Sequence, residues 1–446
     1  LPQRLVVNFA DTFVGDDLAG PDVLLYARTV ESYRWTTFEI GQDAEVVRVI
    51  DKDLPKPARS EHRSFVGVFS FSDARAFLVH LRTELGDSTT RLDPFYRAVV
   101  AYHNALPPER RVLQEVKDWR DFGHLDTYYA TKRRFFMDTR FFNHLSIDES
   151  RGVLRKSSRE PKFAHEVRWY LGLPSSLVHL APRVLDHDLT TDPPYVDLEY
   201  YGYQALSGIY LYGDYELGEW EAVLGVVGNA LEQMQAEVLV PDDPAAAGRS
   251  LHAMYVDKTM ERLATTLSEP RFAPFRQPGL CINGQPAPSV AQVVEQLPDV
   301  VARAGLLEIE ALTVLHGDLC LSNILYDRRG RMIRLVDPRG AFGDFRVHGD
   351  PRYDLAKLTH SFSGDYDFLS HGLFELSFDG TRVALTTHTT ERHEAIKHMF
   401  SQWLDMGWGA WSEQVQLIES LLFLSMIPLH SDRPDCQSAF LARGLE

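Results

Sequence analysis

The sequence predicts an α/β domain over residues 1–135, a small α+β lobe over 136–205 and a mostly helical lobe over 206–446. Three observations predict this. In the first zone short apolar runs alternate with amphipathic helical patterns. In the second, two strand-like runs about a turn lead into one helix. In the third, the apolar spacing is helical and is interrupted by two short strands.

In the first zone LVVNFADT, DVLLYART, WTTFEIG, EVVRVIDK and SFVGVFSFSD read as strands. SDARAFLVHLRTEL and DPFYRAVVAYHNAL read as helices, with Ser72 and Asp93 as expected caps. Such a mixture indicates a mainly parallel sheet. In the second zone residues 140–147 and 152–157 form an expected hairpin about DESRG, and a helix follows over residues 162–171 until Pro174 stops it. DLEYY, residues 197–201, reads as an edge strand leading into a connector. In the third zone YELGEWEAVLGVVGNALEQMQAEV, YVDKTMERLATTL and VAQVVEQLPDVVARAGL read as helices, and helices resume to the end.

Composition narrows the function. A net charge of −17 leaves no basic face for nucleic acid, and makes a neutral or cationic small-molecule partner easier to reconcile than a polyanion. Cys281, Cys320 and Cys436 show neither a disulfide framework nor metal spacing. No apolar run has the length of a membrane span, and no signal peptide opens the chain, so a cytoplasmic location is expected. Leu1-Pro2 is not a natural initiation, and residues 5–9 read at once as a buried strand. A fragment of something longer is therefore expected.

The chemistry is concentrated in HGDLCLSNILYDR, residues 316–328, followed by Asp337 in RLVDPRG. Phosphoryl transfer from ATP needs a carboxylate beside the acceptor hydroxyl and oxygen-bearing side chains on Mg²⁺. Asp318 is the expected catalytic carboxylate, and Asn323 and Asp337 the expected metal ligands. A protein kinase does this work with HRD, a later Asn and DFG. Here Gly317 replaces Arg and DPRG replaces DFG, a variant that resembles the aminoglycoside phosphotransferase and choline kinase branch of small-molecule kinases. The three zones then read as an α/β domain followed by a two-lobed, kinase-like plan. GDPRYDLAKL resembles the stretch after the metal Asp in that branch, where Asp350 and Asp354 would hold the loop. His316 is expected to brace the loop rather than act as a base. Arg339 contacts phosphate or braces the loop.

A kinase also needs a cation on the ATP phosphates, best held by a helical carboxylate. Lys156, ending GVLRK, and Glu166, in FAHEVRWYLGL, are the expected pair, with Lys162 a rival. A Gly-rich flap is not obvious beyond Gly152. The backbone about Glu199 and Tyr201 is the expected adenine hinge, and Tyr200, Tyr201 and Tyr203 line a base pocket or pack between lobes. Asp344, Asp350, Asp365, Tyr366 and Asp367 frame an acceptor pocket or serve as caps and loop residues.

In the first zone, Asp11 ends VVNFADT and Asp121 lies in DWRDFGHLDTY, a setting similar to the Mg²⁺ carboxylates of a sugar-nucleotide or choline-type nucleotidyltransferase. VIDKDLP resembles the lysine element of that family, with Lys52 toward the incoming phosphate. The family's Gly-rich loop is not found, so roughly 80–100 residues would be expected before Leu1. As a whole, the chain resembles bifunctional nucleotidyltransferase/kinase proteins of bacterial capsule and surface-polysaccharide gene clusters, through DWRDFGHLDTYYATKRRFF, LRKSS, LEYYGY, HGDLCLSNILYD, DPRGAFGD, GDPRYDLAKLTHS and SGDYD. The resemblance implies a partial nucleotidyltransferase-like, Rossmann-like domain binding CTP or another NTP. It also implies an ATP- and Mg²⁺-dependent kinase acting on a sugar, polyol or amino alcohol. The alternatives are an antibiotic-modifying phosphotransferase and a nucleotide-binding scaffold without catalysis.

Overall fold

The computed structural model describes residues 3–29, 34–52, 61–86, 92–124, 143–148, 150–266 and 269–446. The chain divides into two compact units, Leu1–Asp138 and Thr139–Glu446.

The first unit is built on β1 (Leu5–Asn8), β3 (Val23–Thr29), β4 (Thr36–Ile40), β5 (Val46–Asp51), β6 (His62–Phe71) and β7 (Val112–Glu115). The order is β5-β4-β6-β3-β7, with β1 also on β6. The expected mainly parallel sheet is corrected. Every pair is antiparallel except β3 with β7. The connections explain this. Residues 41–45 between β4 and β5 are too few for a parallel crossover, which takes a dozen or more. Only β7, reached through the helices Ala74–Leu85 and Pro94–Ala105, runs parallel to its neighbour.

Strand alternation separates two cores. Leu24, Phe65, Phe69 and Phe71 pack with Phe77, Val99 and Tyr102 of the helices. Val23, Leu25, Val66 and Val68 face Val14 and Trp119. The latter two belong to a two-stranded ribbon, β2 (Thr12–Val14) with β8 (Trp119–Asp121). The first helix is capped by Asp73, whose carboxylate accepts from the Arg75 and Ala76 N–H groups, and not by Ser72. Ser72 instead donates to buried Asp22 through both its N–H and its hydroxyl. Asp93 caps the second helix as expected.

The second unit opens with an antiparallel sheet in the order β11-β12-β10-β9: β9 (Asn143–Asp148), β10 (Val153–Ser158), β11 (Val184–Asp188) and β12 (Tyr195–Glu199). Residues 140–142 of the expected hairpin lie outside the described residues. The strand expected at an edge is interior. β11 covers it, and its polar VLDHD reads poorly as a strand. The helix Phe163–Gly172 buries Phe163, Val167, Trp169 and Tyr170 against Val196 and Leu198.

The helical lobe packs Leu217–Ala236, Pro351–Phe362, Glu391–Trp408 and Ser412–Met426 about Trp220, Phe362 and Phe400. The expected YVDKTMERLATTL helix is Lys258–Thr266, preceded by a π-turn at Ala253–Asp257. Two short sheets carry the motif loops. β17 (Leu312–Val314) pairs with β14 (Val238–Leu239) and β20 (His348–Gly349), while β18 (Ile324–Asp327) pairs with β13 (Gln204–Ala205) and β19 (Met332–Leu335). The expectation of helices alone thereafter also needs correction. Phe374–Asp379 and Arg382–Thr387 form a hairpin about the two-residue loop Gly380-Thr381, with Gly380 at φ +60°.

Candidate active site

The HGD loop leaves the end of β17. The His316 and Gly317 N–H groups both donate to the Asp354 carboxylate, at 2.7 and 2.8 Å. Burial pushes that carboxyl up to about 7, against those two bonds, which favour its ionised form. Asp354 sits in the first turn of Pro351–Phe362, whose cap is Asp350. Asp350 also binds Arg352 at 2.8 Å and the Tyr255 hydroxyl at 2.7 Å. Asp354 thus holds the loop directly, as expected, whereas Asp350 caps the helix that carries Asp354 and binds Arg352 and Tyr255 rather than the loop.

Gly317 has a φ of +78°. A Cβ there would sit 2.8 Å from the Arg339 Cβ, so backbone angle and close approach both require glycine. The His316 ring is fully buried, its Nε2 on the Val336 carbonyl at 3.0 Å and its Nδ1 accepting from the Asp318 N–H at 3.3 Å. Burial lowers its pKa to about 4. A neutral ring with both nitrogens engaged is a brace.

Asp318 is half exposed, and its Oδ1 lies 2.8 Å from the Lys357 ammonium. Burial pushes the carboxyl up, but Lys357 outweighs it and holds Asp318 below its ordinary range. Asn323 donates through Nδ2 to the Asp318 carbonyl at 2.8 Å and to its Oδ2 at 3.2 Å. The Asn323 carbonyl accepts from the Val336 N–H, which ties this loop to the segment bearing Asp337. Burial pushes the Cys320 thiol up to about 12, so this neighbour is no thiolate.

Asp337 stands at φ +56°, a left-handed conformation that costs a non-glycine residue about 1–3 kcal/mol. Two contacts hold it there. Its N–H donates to the Tyr170 hydroxyl at 3.2 Å, and its Oδ1 meets the Lys156 Nζ at 2.7 Å. Lys156 lies inside β10, is buried, and reaches both Glu166 oxygens at 2.9 Å. Burial pulls the ammonium's pKa down, but Asp337 and Glu166 outweigh it and the net shift is upward. The structure therefore brings Lys156, Glu166 and Asp337 together, whereas Lys162 is the exposed residue before the helix. Gly340, at φ +73°, completes the DPRG turn. A Cβ there would lie 2.2 Å from the His165 carbonyl oxygen.

Glu199 ends β12, its N–H on the Arg183 carbonyl, while the Tyr200 N–H donates to Gly152. The Tyr201 hydroxyl donates to Glu199 at 3.1 Å, and the Arg334 guanidinium lies 4.7 Å from the Tyr201 ring. Val153↔Glu199 and Lys156↔Val196 register places this segment on the sheet that carries Lys156.

Several site residues escaped sequence reasoning. Trp169 donates to the Leu315 carbonyl at 2.7 Å, so one helix grips the loops through Glu166, Trp169 and Tyr170. Lys357 follows Asp354 by three residues on one helix face, a spacing that signals a shared task. Lys258 and Arg339 both donate to the buried Tyr353 hydroxyl, at 3.2 and 3.5 Å. Burial, then Arg339, Arg262 and Lys357, push the Lys258 ammonium well below its ordinary value.

In the first unit, Thr12↔Asp121 register and the Phe122 N–H on the Asp11 carbonyl set Asp11 beside Asp121. A Cβ on Gly123 would lie 2.7 Å from Asp11 Oδ2 and 3.5 Å from Asp121 Oδ1. Asp121 also holds the His124 Nδ1 at 2.8 Å. Lys52 is exposed just past β5, at φ +54°, and makes no ion pair among the described residues. The structure brings the two carboxylates together but not the lysine.

Residues 140–384 match the phosphotransferase enzyme family, and the chain belongs to it. Among solved structures it is similar to the GDP and kanamycin complex of APH(2")-IIia, 13% identical, covering 68% of this chain and 88% of that one, TM-score 0.42. The streptomycin–ATP–APH(2")-IIa ternary complex is 13% identical, covering 71% and 94%, TM-score 0.39. The aminoglycoside phosphotransferase APH(3'')-Id from Streptomyces rimosus ATCC10970 is 16% identical, covering 72% and 99%, TM-score 0.34. No curated protein matches. Among the described residues no helix is long and apolar enough to cross a membrane.

Proposed function

We propose that the second unit is a kinase that transfers the γ-phosphoryl group of ATP to a hydroxyl of a sugar, polyol or amino alcohol. The contact of Lys156 with both Glu166 and Asp337 carries this reading, because it joins the sheet lobe to the motif loops. Lys156 takes the α- and β-phosphates, and the backbone about Glu199 and Tyr201 takes the adenine. Asp318 orients the acceptor hydroxyl. As the hydroxyl oxygen bonds to the γ-phosphorus and the bond to the β-phosphate oxygen breaks, Asp318 takes the proton and ADP leaves. Asn323 and Asp337 offer the oxygen donors Mg²⁺ requires, and the ion would neutralise charge on the phosphates. ADP formation with an acceptor panel tests the reading. An Asp337→Ala enzyme that still forms ADP at the parent rate overturns it.

The aminoglycosides in the names of the similar structures make an antibiotic-modifying phosphotransferase one arm of that panel. A scaffold without catalysis fits poorly, since Asp318, Asn323 and Asp337 are all in place. For the first unit, the adjacency of Asp11 and Asp121 supports a divalent-cation site. With it comes the reading of a CTP- or NTP-dependent nucleotidyltransferase that activates the kinase product for surface-polysaccharide synthesis. Pyrophosphate release from CTP or UTP with a sugar phosphate or alcohol phosphate is the assay, and no release leaves that unit a structural role.

A further inference from the structure

The kinase reading leaves one group of charges unused. The helix beginning at Lys258 carries Arg262 one turn on, at the spacing that puts both side chains on one face. The Lys258 Nζ lies 3.2 Å from the Tyr353 hydroxyl, and an Arg339 nitrogen reaches the same oxygen at 3.5 Å. Tyr353 belongs to the helix that presents Lys357, one turn later, to Asp318 at 2.8 Å. Arg339 is fixed to the motif itself, its N–H on the His316 carbonyl at 2.9 Å. Lys258 and Arg339 thus meet at one phenol and Lys357 at the carboxylate, while Arg262, one turn from Lys258, donates to the Ser425 carbonyl at 2.7 Å. Neither Lys258 nor Arg339 has a carboxylate within ion-pair distance among the described residues. Asp318, the one acid among the charges acting most on Lys258, is already engaged by Lys357.

Like charges crowded at a half-buried position destabilise one another unless an anion joins them. The donor phosphates do not fill this role, because they have their own cation. Lys156 is held by Glu166 and Asp337 and belongs to a separate set of contacts. The cations on the Tyr353 side border the carboxylate that must meet the acceptor.

We propose that the acceptor is itself an anion, a hydroxylated carboxylate or phosphate ester whose acidic group is held by Lys258 and Arg339, with Arg262 adding to the field. This rests on the kinase reading above and narrows it. It also reverses what the net charge of −17 suggests, since a pocket follows its own side chains and not the chain's total.

The test is ADP formation by the full chain with matched acceptors: glycerol, ethanolamine, glycerate and glycerol 3-phosphate, then glucose, glucosamine, gluconate and glucose 6-phosphate. The acidic members are expected to give kcat/KM about 100-fold above their neutral and amine counterparts, and glycerate against glycerol 3-phosphate separates carboxylate from phosphate. Lys258→Met is expected to raise KM for the acidic acceptor about tenfold or more, with KM for ATP moving less than about twofold and Lys258→Arg restoring most of the loss. Preference for neutral or amine acceptors overturns this proposal and leaves the kinase reading standing. So does equal damage to both KM values, which would assign the cluster to the nucleotide. Failure of every acidic member despite bound ATP overturns it as well. Failure to bind ATP at all ends the kinase reading and this proposal together.

Discussion

Both units carry a pair of aspartates expected to hold a metal or act on substrate, but they treat the charge differently. In the second unit each functional carboxylate has an ammonium at ion-pair distance, Lys357 on Asp318 at 2.8 Å and Lys156 on Asp337 at 2.7 Å. In the first, Asp11 has no ion pair among the described residues, and the contacts of Asp121 include the His124 ring at 2.8 Å, charged only when protonated. The second unit's two carboxylates are therefore charge-balanced and held in place before a ligand arrives. The first unit's two carboxylates instead flank one glycine, an arrangement that a cation held by both would stabilise.

The largest expected difference between the units is catalytic. Asp318→Ala should lower kcat for ADP formation by about 10²–10⁴-fold, the usual worth of a positioned acid or base, while Asp11→Ala should leave it within about twofold. Equal losses in both variants would break the contrast. Lys156→Met should come next. It removes a charge-assisted contact to phosphate, worth about 1.5–3 kcal/mol, and leaves Glu166 buried beside Asp337. A rise of about tenfold or more in KM for ATP, with KM for the acceptor little changed, is the expected split.

Much of the second site was legible in the sequence because one loop carries it. His316, Asp318 and Asn323 lie within eight residues, and their spacing survives any packing. Lys156 and Glu166 were legible because a strand and the following helix fix their offset. Lys357, Lys258 and Tyr353 were not, since only the packing of separate helices brings them to Asp318. Sheet direction in the first unit was misread for a related reason. Strand composition says little about pairing, whereas the short connection at residues 41–45 forces the antiparallel arrangement. The polar β11 and the late hairpin were missed because helical and apolar signals around them dominated.

Within the second unit, one carboxylate sharpens the comparison by lacking a close ammonium. Burial pushes Glu419 up to about 8, with Arg443 pulling it down and Asp365 pushing it further up. Its folded pKa is raised above the ordinary 4.5. Between those values the unfolded chain has released its proton while the folded chain still holds it, so stability falls as pH rises through that window. Glu419→Gln removes this term. Its melting temperature should exceed the parent's by a few degrees at pH 8, at about 2–4 °C per kcal/mol, and match it near pH 4.5. A gain of the same size at both pH values would mean that packing, not ionisation, sets the cost.

The smallest effect bears most directly on the first unit. Two carboxylates flanking Gly123 repel one another, and at a partly exposed site such repulsion is worth about 0.5 kcal/mol at low salt. Asp11→Asn removes one of the charges and should raise the unit's melting temperature by about 1–2 °C. A divalent cation held by both carboxylates would relieve the same repulsion. Millimolar Mg²⁺ should therefore stabilise the parent chain by more than an equal ionic strength of NaCl does, and this excess should vanish in Asp11→Asn. The kinase half has its own expected Mg²⁺ ligands, so the comparison is made in an Asp337→Ala background, where that contribution is removed. If Mg²⁺ and NaCl then act alike on that background, the pair holds no divalent cation, and the nucleotidyltransferase reading loses the observation that supports it.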